Sequence, residues 1–119
     1  MKSVCRNAGR SDAFRWVKAQ ADSLLHEASD SAAIAEAHFL LGFADQDVVA
    51  LAGGAVPDLE PPSRYQAEAA AARDRAVEHL RLGLNLDSTS LWALQAKRDL
   101  PVLVQGRTPK GTHFYCFPG

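Results

Sequence analysis

The chain has 119 residues, 47% of them hydrophobic and 23% charged, and a formal net charge of −1. That composition fits one globular domain with a single core and excludes a disordered chain. No apolar run reaches the roughly 18 residues of a membrane span, and "MKSVCRNAGRSDAF" lacks the apolar segment of a secretory signal, so a cytoplasmic location and no membrane partner are expected.

The charge is unevenly placed. Residues 1 to 18 carry Lys2, Arg6, Arg10, Arg15 and Lys18 against Asp12 alone, and residues 97 to 119 carry Lys97, Arg98, Arg107 and Lys110 against Asp99. The acidic residues are concentrated between them. Residues 1–11 therefore read as a basic N-terminal segment, 12–100 as a helical domain and 101–119 as a C-terminal tail that packs on the helices or on a partner.

Ser11 or Asp12 is placed to cap a first helix that runs to about Ala28. Phe14, Val17, Ala21, Leu24 and Ala28 form one apolar stripe at spacings of three and four, and Trp16 lies off it. "SDS" at 29–31 is a turn with fresh cap oxygens. The second helix, about Ala32 to Ala52, is apolar nearly all round: Ile34, Ala37, Leu41, Ala44, Val48 and Leu51 on one side, and Phe39, Leu40 and Phe43 on others. Such a helix is either central or presents its second face to a partner. Gly53-Gly54 ends it.

"AVPDLEPPS" is a loop, because three prolines in nine residues do not propagate a helix. Ser63-x-x-Gln66 has the form of a capping box and predicts that a third helix opens there and runs to about Leu84. Its core stripe is Ala69, Ala72, Ala76, Leu80 and Leu84. Asp87 or Ser88 then caps a short fourth helix to about Lys97. Leu41, Leu80 and Trp92 are expected in the core. Beyond Pro101, "VLVQ" and "THFYCF" are β-prone and flank the turn-rich "GRTPKG", which predicts either an extended tail or a C-terminal β-hairpin.

Cys5 and Cys116, in a chain with no export signal, are expected to be free thiols. His113-x-x-Cys116 offers two metal ligands, but zinc takes four in two close pairs, so neither a metal nor a cofactor is expected. His38, between Ile34 and Leu41, reads as a hydrogen-bonded core histidine. His26, near a helix C-terminus, sits where its charge is favourable.

Two resemblances bear on function. "HFLLGFAD" in the second helix, with Ala76-x3-Leu80-x2-Gly83 in the third, resembles the tetratricopeptide repeat over about residues 32–105. His38 stands at the usual Trp, Asp45 at the usual Tyr and Ser88 at the boundary proline. Gly42 and Ala76 would let the two helices close, with Leu80 filling the space beside them. "AKRDLPVLVQG" looks like the degenerate ending of bacterial repeat proteins. This resemblance implies a small all-α bundle of about four helices and a non-catalytic protein–protein interaction module: an adaptor, or a chaperone-like or inhibitory binder. A separate alternative of the same small-binder kind is an immunity or anti-defence protein of a bacterium or phage. The partner is another protein or a second copy of the chain, with nucleic acid disfavoured. Its expected surface is the second face of helix two with the aromatic tail: Phe39, Phe43, Phe114, Tyr115 and Phe117.

The second resemblance is to the HEPN ribonucleases, which dimerise and use an Arg, a polar residue and a later His. Arg73-Asp74 and His79 match that pattern, implying proton transfer by His79 and phosphate contact by Arg73. Residues six apart on one helix are rotated by about 120°. The competing assignment is a solvated helix face, with Arg75–His79 and Glu78–Arg81 as surface pairs.

Overall fold

The computed structural model describes residues 2–10 and 12–118. A strand β1 (Ser3–Asn7) precedes four helices, α1 (Ala13–Glu27), α2 (Ser31–Ala52), α3 (Ala69–Leu86) and α4 (Leu91–Val104), and a strand β2 (Phe114–Pro118) follows them. The expected all-α bundle is thus mostly helical with a two-stranded antiparallel sheet added at the termini. None of the described helices is long and apolar enough to cross a membrane.

Helix α2 is the central element. Every residue from Phe39 to Leu51 is buried, because α1, α3 and α4 all pack on it. Asp30 caps its start by accepting from the Ala33 amide at 2.8 Å. Its chain exit turns at Gly54, whose φ of 85° is a left-handed conformation that disfavours residues with a Cβ. Helices α2 and α3 run antiparallel at close range. A Cβ on Gly42 would lie 2.7 Å from Leu80 Cδ2 and 3.3 Å from the Ala76 carbonyl, and one on Gly83 would lie 2.6 Å from the Phe39 ring. The small residues let the backbones approach, and Leu80 and Phe39 fill the space beside them. Both are fully buried, each stabilising the fold by about 1.5–3 kcal/mol relative to exposure. Leu41 is also buried, whereas Trp92 is half-buried, tilted against Phe43 with its indole N–H donating to Glu36.

Several local expectations are corrected. Ser63 and Gln66 do not open α3; the chain makes two 3-10 turns, Pro62–Arg64 and Gln66–Glu68, before the α-helix begins at Ala69. Glu60 holds this stretch, accepting from Arg64 Nη1 and from the hydroxyl of buried Tyr65, each at 2.8 Å. The cap of α4 is Ser90, which accepts from the Ala93 amide, while Asp87 instead accepts from Thr89. Helix α4 also continues through Pro101 to Val104 rather than stopping near Lys97. The buried Leu103 side chain anchors its last turn, and the Leu103 carbonyl accepts from Arg73. "VLVQ" is therefore largely helical and is not one arm of a hairpin.

The strand predicted in "THFYCF" forms, but its partner is the basic N-terminal segment, with Ser3 opposite Pro118, Cys5 opposite Cys116 and Asn7 opposite Phe114. This pairing overturns the expectation of free thiols. Cys5 and Cys116 face each other with Cα atoms 4.1 Å apart and are joined as a disulfide. Alternation puts Arg6, Tyr115 and Phe117 on the opposite face, toward the helices. Tyr115 is buried, Phe117 meets Trp16 edge-on with centroids 5.0 Å apart, and the Arg6 guanidinium covers the same indole at 4.6 Å. Trp16, off the α1 stripe, thus receives the terminal strands.

Candidate functional site

Helix α2 carries Asp45, Gln46 and Asp47 in its buried middle, where unpaired polar groups are expensive. Successive residues on a helix point about 100° apart, so each of the three meets different neighbours. Asp47 meets the segment leading into β2. It accepts from the His113 amide at 3.0 Å, from His113 Nδ1 at 2.6 Å and from the Tyr115 hydroxyl at 2.6 Å. Gln46 donates to Asp99 of α4 at 3.0 Å, and Gln95 donates to the same carboxylate at 2.7 Å. Gln46 Oε1 has no partner. Asp45 meets α1 and α3, accepting from Lys18 Nζ at 2.7 Å and from Arg75 Nη2 and Nε at 3.1 and 3.2 Å.

His113 lies between two carboxylates, Asp47 and, 3.7 Å from Nε2, Asp99. Burial opposes its charge, but the Asp47 and Asp99 carboxylates outweigh burial and raise its pKa to about 9. Burial likewise pushes Asp99 upward, and the hydrogen bonds from His113, Gln95 and Gln46 overcome that and hold it below the ordinary carboxylate value. For Tyr115, burial and the Asp47 charge act together and push the hydroxyl well up. The result is a hydrogen-bonded clamp, one imidazolium between two carboxylates, that fixes the C-terminal strand to the central helix. Three consecutive polar residues inside an otherwise apolar helix were the sequence signal for it, but their partners lie 27 to 68 residues away.

The residues singled out for chemistry are not brought together. Arg73 Nη1 donates to the carbonyls of Leu103 and Arg107 at 3.0 and 2.7 Å, tying α3 to the end of α4. His79 instead turns to α2, where its Nδ1 lies 3.0 Å from Nδ1 of His38. The expected surface pair of Arg75 and His79 is not made, because Arg75 reaches Asp45. His38 is half-buried rather than a core residue. Nor do His113 and Cys116 form a ligand pair, since one is held by Asp47 and the other by the disulfide.

The expected aromatic interaction surface is also corrected. Phe39, Phe43 and Tyr115 are at most 1% exposed and belong to the core; Phe117 is half-buried on Trp16, and of the five only Phe114, at 62%, faces outward. Helix α2 has several apolar faces because it has several neighbours, and β2 lies over one of them.

The described residues form two notable surface depressions. One, of about 570 Å³, runs between α3 and the end of α4, with Val77, Leu82, Leu103 and Val104 as its apolar lining and Arg73, Asp74, Glu78 and Arg81 as its charged lining. The other, of about 380 Å³, lies between α4 and the following loop and brings Arg98, Arg107 and Lys110 near Asp99. No protein-family model matches the chain, and neither curated proteins nor solved structures give a match.

Proposed function

We propose that the chain is a non-catalytic protein-interaction module, and that its interaction surface is the outer face of α3 and α4, with a second copy of the chain as the partner. One observation carries this reading. Among the described residues, five of the eight large apolar side chains left exposed lie on these two helices: Leu82, Leu86, Leu91, Leu94 and Val104. Leu82 and Val104 line the larger groove, Leu86 follows Leu82 by one helical turn, and Leu91 and Leu94 lie just past the connection to α4. Leu82 and Val104, which share the groove, supply exposed apolar surface of the kind that marks association sites.

The charges favour a copy of the same chain. Asp74 and Arg81 lie seven residues apart on the groove side of α3, so an antiparallel pair of α3 helices places each carboxylate opposite the other copy's guanidinium. A two-fold contact of this kind is self-complementary. The close α2/α3 approach at Gly42 and Gly83 supports a tetratricopeptide-like central hairpin, flanked by α1 and α4. The diverging directions of Arg73 and His79 weigh against the ribonuclease alternative.

The test is light scattering and sedimentation over a wide concentration range. The wild type is expected to dimerise, and the Leu82→Asp, Leu94→Asp double variant to remain helical and monomeric. A wild type that stays monomeric at the highest concentration overturns the self-association reading. RNA cleavage by the pure wild type, lost in a folded His79→Ala variant, would replace it with the nuclease.

A further inference from the structure

His38 on α2 and His79 on α3 meet through their Nδ1 atoms at 3.0 Å. Their rings are 25° from parallel with centroids 5.3 Å apart. The centroid separation exceeds the nitrogen separation by about two ring radii, the most that two imidazoles can reach, so each Nδ1 points almost straight at the other. This is the geometry of a linear N–H···N hydrogen bond. It does not suit a shared metal ion. With metal–nitrogen distances of about 2.0–2.1 Å, two nitrogens this close subtend nearly a right angle at the ion, and their lone pairs turn away from the head-on line.

Counting protons gives the consequence. In the neutral pair, one ring donates its Nδ1–H and the other accepts with a bare Nδ1, carrying its own proton on Nε2. A first added proton goes to Nε2 of the donor ring and converts the bond to a charge-assisted one, which is stronger. A second has to occupy the bare Nδ1. Two N–H groups then oppose each other head-on, and rotating either ring does not restore the bond, because an imidazolium has no acceptor.

The neighbouring carboxylates favour charge on the rings, but no hydrogen bond from either ring to them replaces the one that is lost. Glu78 acts on both rings, Asp45 and Lys18 act on His79, and Asp45 is itself engaged by Lys18 and Arg75. The helices cannot adjust inward, since Gly42 and Gly83 already bring them to close contact. We propose that His38 and His79 form a one-proton latch between α2 and α3, closed while the pair holds at most one added proton and forced open when both rings are charged. This goes beyond the association reading and does not depend on it.

Burial works against the strengthening of the bond by the first proton, and for the second proton burial and ring–ring repulsion act in the same direction. Burial lowers His38, with Glu78 opposing; burial and then the His38 charge lower His79, with Asp45 and Glu78 opposing. Folded-state values below 6.5 mean that the unfolded chain takes up these protons first. Stability is therefore lost as pH falls below 6.5, toward the folded-state values.

The experiment is long-range proton–nitrogen NMR of the full chain, titrated from about pH 7.5 to about pH 4.5, a window that brackets the ordinary histidine value. At the upper end one Nδ1 is expected to be protonated and the other bare, with a scalar coupling across the N–H···N bond. Two separated titration steps follow, and contacts between the rings vanish at the second. Two Nε2–H tautomers without coupling, or one common step near the ordinary value, overturn the latch. So does a folded His38→Gln, His79→Gln double variant that loses stability below pH 6.5 as steeply as the wild type. Should that variant not fold, the NMR titration of the wild type decides.

Discussion

Tyr115 donates its hydroxyl hydrogen to Asp47 across 2.6 Å, and the two residues, 68 apart in sequence, are at most 1% exposed. This bond fixes β2 to the central helix. Tyr115→Phe keeps the ring and removes the donor, leaving one carboxylate oxygen of Asp47 without that partner. A hydrogen bond to a charged group contributes about 1.5–3 kcal/mol, so urea denaturation at neutral pH is expected to show a loss of that size. A change under about half a kcal/mol, below the usual range for a hydrogen bond, would show that His113 alone satisfies Asp47.

His113 gives stability an alkaline limit. Its folded-state value of about 9 lies above the ordinary 6.5, so the folded state holds the proton more tightly. The stabilisation is complete below about 6.5 and is lost as pH rises through about 9. At 1.36 kcal/mol per unit, the contribution is on the order of 3 kcal/mol, shared with Asp47 and Asp99. The midpoint of urea unfolding should fall between pH 7 and pH 10, and His113→Gln should flatten this part of the profile. With the opposite slope of His38 and His79 below 6.5, the wild type is expected to be most stable near that pH, where both effects are small.

Gly83→Ala tests the close approach of α2 and α3. Alanine is favoured over glycine within a helix by about 1 kcal/mol, but its Cβ would lie 2.6 Å from the fully buried Phe39 ring. Overpacking of this kind costs about 1–3 kcal/mol, and the fully buried ring moves only by displacing other core side chains. A net loss of stability is expected. A gain would mean that the helices separate easily at this level.

The disulfide is the covalent counterpart of the terminal sheet. Cys5→Ser, or reduction of the wild type by a dithiol, releases a link between residues 111 apart. A loss of about 2–5 kcal/mol is expected, with helical circular dichroism preserved at low denaturant because α1 to α4 do not depend on the bond. Equal denaturation midpoints for the oxidised and reduced protein would show that Tyr115, His113 and Phe117 hold the strands without it.

The sequence by itself determined what depends on near neighbours. The apolar stripe Phe14, Val17 and Ala21, the Asp30 cap and the Gly53-Gly54 exit each act within a turn or two, and they place α1 and α2 with nearly correct ends. The small residues Gly42 and Ala76 and the volume of Leu80 were legible in the same way, because the steric need of a close helix pair is written in residue size. Tertiary structure alone decided which distant groups meet. An apolar face does not state what will cover it, so Phe39, Phe43 and Tyr115 read as a surface until α3, α4 and β2 were seen to pack there. A β-prone segment does not choose its strand partner, so the basic N-terminus, not "VLVQ", pairs with β2 and brings the two cysteines together. A buried carboxylate or imidazole needs a partner but does not name one, and Asp47 with Tyr115, like His38 with His79, became a pair only when the chain closed a long loop.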